Sequence, residues 1–210
     1  KGRFALSSLE LETKNAGGNF WGFEVAEVNG QLLAKQNFKD LYMQTISGRV
    51  QVADTVFEQL HMSGSYRQGN VYAYISSALL NQVPLKMRLS IDQIKSKNRQ
   101  IDTSIYLQHF EPMGFIGVVM DFVKVISAIP KNPAPAVALQ TGDLAWMRNF
   151  RDRLPTFMPN FSGTLYADTF ASTVLSGKRF NAEFDLKGML PGAAELDGTL
   201  DMRLEDGIIH

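Results

Sequence analysis

Three stretches of the chain alternate apolar and polar residues strictly, and that period of two constrains the fold more than any other feature. Leu85, Met87, Leu89 and Ile91 alternate with Lys86, Arg88, Ser90 and Asp92. Phe180, Ala182, Phe184 and Leu186 alternate with Asn181, Glu183, Asp185 and Lys187. Leu196, Leu200, Met202 and Leu204 alternate with Asp197, Thr199, Asp201, Arg203 and Glu205, with Gly198 at one inward position. A helix, at about 3.6 residues per turn, cannot sort these residues into two faces, whereas a strand does so by geometry.

Weaker alternation predicts further strands over 3–12, 23–35, 41–52, 55–67, 70–78, 100–110 and 162–175. Turn residues punctuate them at Asn15-Ala16-Gly17-Gly18, Asn29-Gly30, Ser47-Gly48, Gln68-Gly69-Asn70, Lys97-Asn98, Ser176-Gly177 and Pro191-Gly192. The expected fold is therefore mainly β with a small helical insertion. It reads as a long curled antiparallel meander, arranged as a groove, a partial barrel or a sandwich.

The strand pattern breaks between Pro112 and Pro159. Glu111-Pro112 places a proline at a first helical position, and Met113 to Ile129 follows with only Asp121 and Lys124 charged. Phe115, Val118, Val119, Phe122 and Ile126 recur at helical spacing, predicting a helix over 112–129 that packs on the sheet. It is short for a span of the roughly 30 Å hydrocarbon core. A proline-rich linker and Thr141-Gly142-Asp143 then lead into a second predicted helix, 144–154, closed by Pro155 and Pro159. The expected organisation is one β-rich domain over 1–210: a strand block 1–110, a helical insertion 111–159 and a strand block 160–210. An opening at Lys1 without methionine sets the further expectation of a piece of a longer protein.

Composition narrows the function. Twenty-one basic residues balance twenty-one acidic ones, which removes the broad positive field that drives nucleic-acid binding. No cysteine is present, so disulfides, thiolate metal sites and a cysteine nucleophile are excluded. The three histidines, His61, His109 and His210, are far apart in sequence, and no histidine-rich metal centre or cofactor is expected. No nucleophile elbow, phosphate-binding loop or metalloprotease helix occurs. Ser63-Gly64-Ser65 and Ser176-Gly177-Lys178 read as turns, and Asp197, Asp201 and Glu205 as the solvated face of a strand. The expectation is a protein without catalytic residues.

Two sets of residues remain as binding candidates. Leu85, Met87, Leu89, Phe180, Phe184, Leu186, Leu200 and Met202 form the apolar faces of the clean strands, and they either fill a core or line a groove. Trp146, Arg148, Phe150, Arg151 and Arg153 alternate aromatic and cationic groups along the second helix. They either pack on the sheet or meet lipid headgroups at a membrane interface. Strand aromatics such as Phe23, Tyr42, Phe57, Tyr72 and Tyr74 are expected on the inner face.

The last quarter carries a resemblance. Phe161-Ser-Gly-Thr-Leu-Tyr-Ala-Asp-Thr-Phe170, Leu175-Ser-Gly-Lys-Arg-Phe180, Ala182-Glu-Phe-Asp-Leu-Lys-Gly188 and Leu200-Asp-Met-Arg-Leu-Glu-Asp-Gly-Ile208 follow one another. Together they resemble the repeating pattern of the AsmA-like family of Gram-negative envelope proteins. Asn29-Gly30-Gln-Leu-Leu33 and Ile46-Ser-Gly-Arg-Val50 are fainter echoes. The resemblance implies a periplasmic domain anchored to the inner membrane by a segment outside this sequence. It also implies a sheet whose apolar face carries phospholipid acyl chains in outer-membrane biogenesis. Phospholipid, a membrane surface and further domains of the same chain are the partners it implies, and it brings no catalytic residues. A structural module with a filled core, docking its neighbours through an edge strand, is the alternative.

Overall fold

The computed structural model describes residues 8–20, 22–35, 40–92, 100–128, 160–187 and 197–210. The alternating segments become ten strands: β1 (Ser8–Phe20), β2 (Phe23–Lys35), β3 (Asp40–Val52), β4 (Thr55–Arg67), β5 (Asn70–Leu80), β6 (Val83–Asp92), β7 (Gln100–Phe110), β8 (Asn160–Ala171), β9 (Leu175–Lys187) and β10 (Asp197–Ile209). They form one sheet in sequence order, with β1 and β10 as its edges. The sheet is not closed.

The purely antiparallel meander expected from sequence is corrected at one joint. β7 and β8 run parallel, with Gln100 opposite Asn160 and Phe110 opposite Phe170. A parallel neighbour requires the chain to return to the end where the previous strand began, which a tight turn cannot do. Helix α1 (Pro112–Ala128) supplies part of that return and matches the first predicted helix closely. The second predicted helix, with Trp146, Arg148, Phe150, Arg151 and Arg153, lies outside the described residues.

Most of the expected turns at Asn15, Asn29, Ser47 and Ser176 are not turns. They lie inside strands, close to bulges. Asn15 (φ 49°), Glu27 (φ 56°), Gln59 (φ 51°), Arg179 (φ 51°) and Asp206 (φ 51°) adopt left-handed backbone at or beside register shifts between neighbouring strands. Each bulge adds a residue to one strand and deepens the local twist. Side chains satisfy the freed groups: the Asn15 amide donates to Asn29 Oδ1 at 2.9 Å, and Asn29 Nδ2 donates to Ser47 Oγ at 2.8 Å. True hairpin turns occur at Gln68-Gly69, as expected, and at Ala53-Asp54 and Asn81-Gln82, which lack a glycine.

One end of the inner face is filled. Leu60, Leu80, Leu85, Leu107, Phe110 and Phe180 anchor a buried cluster, with Val50, Phe57, Phe115 and Phe170 packed on it. Phe180 stacks on Phe110 at 5.2 Å and on Phe170 at 4.9 Å, Phe110 and Phe170 meet tilted at 5.9 Å, and Phe115 of α1 meets the edge of Phe110 at 5.6 Å. Farther along α1, Phe122 packs between Phe23 at 6.1 Å and Phe57 at 6.0 Å. Such pairs contribute about 0.5–1.5 kcal/mol each beyond their buried area. Asp121, on the same helix, accepts a hydrogen bond from Thr55, which is almost fully buried.

Candidate functional site

Residues directly opposite one another on paired strands project to the same face of a sheet, so the registers define rows that cross it. One inner row runs Leu11, Leu32, Met43, Gly64, Ala73, Leu89, Thr103, Gly163, Phe184 and Leu200, one residue from each strand. A second runs Thr13, Gly30, Thr45, Met62, Ile75, Met87, Ile105, Leu165, Ala182 and Met202. A third begins at Leu9 and passes through Ile91, Ile101, Phe161 and Leu186 to Gly198. No charged side chain interrupts any of the three. With strands about 4.8 Å apart, each row is roughly 40 Å long.

Seven of the eight apolar residues singled out in sequence fall on these rows or on the filled end beside them, with described side chains. Leu85 and Phe180 are buried core residues, each about 5% exposed. Met87, Leu89 and Phe184 are half-buried, and Phe184 stacks on Phe161 at 5.1 Å. Leu200 (60%) and Met202 (61%) are open to the surroundings. Leu186 takes its place in the third row through its pairing with Phe161 and Gly198.

Sequence reasoning missed the far end of the same rows, where Leu11 and Met43 are also exposed, at 46% and 40%. Two glycines keep the rows level. A Cβ on Gly30 would press on the Gln44 carbonyl, and one on Gly163 on the Thr103 carbonyl and the Phe184 ring. α1 covers the other end of the face and turns its own apolar residues Met113, Ile116, Val119 and Met120 outward. No helix among the described residues is long and apolar enough to cross a membrane.

The opposite face is polar, and it corrects the placement of three aromatics. Tyr42, Tyr72 and Tyr74 stand on it, exposed, beside Ser65, Ser90 and Arg88. Here the β-strand preference of tyrosine for a pleated surface, rather than burial, accounts for the residue. Lys86 lies over the Tyr106 ring at 5.8 Å, and Tyr106 stacks on Tyr166 at 5.8 Å. The Tyr106 hydroxyl donates to Asp168 at 2.5 Å. That bond, then partial burial and the carboxylate's charge, raise the phenol above its usual range.

Other polar groups pair locally. The Ser162 hydroxyl donates to Asp102. His109 Nδ1 meets the Thr169 hydroxyl at 2.9 Å, and His210 Nε2 meets Ser176 at 2.8 Å. Ser63, Gly64 and Ser65, read from sequence as turn residues, lie within β4. A shallow depression of about 350 Å³ opens on the polar side between Ser162, Glu183, Asp185 and Asp201. Among the described residues no group of three histidine, aspartate or glutamate side chains could hold a metal ion. The chain matches no family model, no curated protein and no solved structure.

Proposed function

We propose that the inner face binds acyl chains of phospholipid or a similar lipid, by solvating them rather than by chemistry. The observation that carries this reading is the set of uncharged rows crossing all ten strands, with large apolar side chains exposed at both ends: Leu11 and Met43 on one side, Leu200 and Met202 on the other. A chain reaching across a leaflet is about 15 Å long, half of the roughly 30 Å hydrocarbon core, so it covers three or four strands of the 40 Å row. Each methylene taken from water contributes about 0.8 kcal/mol. The exposed stripe of α1 adds apolar surface next to the filled end. This reading accords with the resemblance of the last quarter of the chain to the AsmA-like family, and so with a non-enzymatic role in the periplasm, in outer-membrane biogenesis at a membrane surface.

Native mass spectrometry of the purified chain, with extraction of bound lipid, tests it. Co-purifying phospholipid and uptake of a fluorescent acyl probe are expected; a lipid-free protein that takes up no probe overturns the reading. A second reading, an assembly module docking neighbouring domains through an edge strand, draws on the filled end of the face. Leu85 and Phe180 there serve packing, not a ligand.

A further inference from the structure

Both edge strands of the sheet combine a regular run with bulges. β1 pairs with β2 through two register shifts, between Thr13 and Ala16 and between Ala16 and Gly18. Bulges of this kind twist an edge away from further pairing. β10 likewise pairs with β9 through two register shifts, between Arg203 and Glu205 and between Glu205 and Ile208, but ahead of them it pairs residue for residue from Asp197 to Arg203. Its sequence there is self-complementary. Laid antiparallel against a copy of itself about Met202, the strand sets Asp201 opposite Arg203, Leu200 opposite Leu204, and Met202 opposite Met202. Parity is kept, so the inner residues stay inner and the outer residues stay outer.

Charge within the sheet favours the same match. Asp201 already stands opposite Glu183 of β9, a like-charge neighbour, and Arg203 stands opposite Asn181. Asp201 has one cationic contact among the described residues, its own strand's Arg203 at 3.2 Å, with the two side chains 61% and 77% exposed. A second strand would bring an arginine to the open side of each Asp201 and an aspartate to the open side of each Arg203.

We propose that β10 pairs antiparallel with β10 of a second copy of this chain, centred on Met202, joining two ten-stranded sheets through their edges. The inner rows then run on from one copy to the other across Leu200, Met202 and Leu204. The junction is small beside the roughly 1,200 Å² of a stable complex, so the dimer dissociates in the micromolar range or above. It does not depend on the inner face holding lipid, and the test below uses the outer face to keep the two separate.

Sedimentation equilibrium of the 210-residue chain should show a monomer–dimer equilibrium. Asp201→Arg and Arg203→Asp should each weaken it about tenfold by placing like charges opposite one another, and the double swap should restore it. Both residues lie on the outer face, so acyl-probe uptake should be unchanged in all three variants. The chain has no cysteine, so Met202→Cys introduces a single thiol on the two-fold axis. It should cross-link to its copy under mild oxidation, whereas Leu200→Cys, displaced about four residues from its own equivalent, should not. A chain that stays monomeric into the millimolar range overturns the proposal. So does a dimer indifferent to the charge swaps, or equal cross-linking of the two cysteine variants.

Discussion

The Thr55 hydroxyl donates a 2.8 Å hydrogen bond to the Asp121 carboxylate, tying the start of β4 to the middle of α1. Thr55 is about 1% exposed, so its hydroxyl has no water to fall back on. Thr55→Val keeps the shape and removes the donor. It should cost about 1.5–3 kcal/mol, the range for a hydrogen bond to a charged group. Urea unfolding measures it. Pairing Thr55→Val with Asp121→Leu should recover part of the loss, because no carboxylate is then left without its donor. A Thr55→Val protein as stable as the parent would show that the contact does not hold the helix.

Two glycines should respond in opposite directions to alanine. At Gly163 the added methyl meets the Thr103 carbonyl and the Phe184 ring, within the parallel β7–β8 pair. Gly163→Ala should destabilise by about 1–3 kcal/mol, the usual range for overpacking. At Gly117, on α1, nothing lies within 4 Å of the position a Cβ would take. Gly117→Ala should stabilise by up to about 1 kcal/mol through helix propensity. Thermal unfolding of the two variants separates them, and a shift of the same sign in both would contradict the packing described.

Tyr106 ties stability to alkaline pH. Its hydroxyl donates to Asp168, and ionisation would remove that bond and face a phenolate toward a carboxylate. The folded-state pKa is thus raised above that of the unfolded chain. The resulting stabilisation is complete below about pH 10, the value for a free tyrosine, and is lost as pH rises through the folded value. In a tyrosinate absorbance titration of the six tyrosines, Asp168→Asn should bring one of them down toward pH 10. Superimposable titrations of parent and variant would contradict the assignment.

How legible each strand was depended on its bulges. β6 pairs without a shift to β7, and its Leu85–Ile91 alternation could be read at once. The clean stretches of β9 and β10, Phe180–Leu186 and Leu200–Leu204, end where the bulges at Arg179 and Asp206 begin. In β4 the inner face steps from Phe57 to Leu60 across Gln59, and in β5 from Ile75 to Ala78, so a strict period of two fails within a continuous strand. The same inserted residues made Asn29-Gly30 and Ser47-Gly48 look like turns. Asparagine and glycine serve a bulge and a hairpin for the same reason, tolerance of left-handed or crowded backbone. The parallel joint was illegible because strand alternation carries no direction. Leu11 and Met43 were missed because they belong to the strands whose period the bulges disturb, so they were not linked to Leu200.

The binding face is tested most directly by titrating an acyl probe against Met43→Asp and Met202→Asp, with Glu183→Ala on the polar face as control. Met43 and Met202 are 40% and 61% exposed on adjacent inner rows at opposite ends of the sheet, so a carboxylate there is solvated and the fold is kept. Met43 is also far from the β10 edge, which separates its effect from any change in self-association. Both aspartate variants should keep the parent's circular dichroism and unfolding midpoint while losing probe affinity at least about tenfold, as expected for a charge placed against hydrocarbon. The control should bind as the parent does. Folded Met43→Asp and Met202→Asp proteins that bind the probe as tightly as the parent would contradict the account.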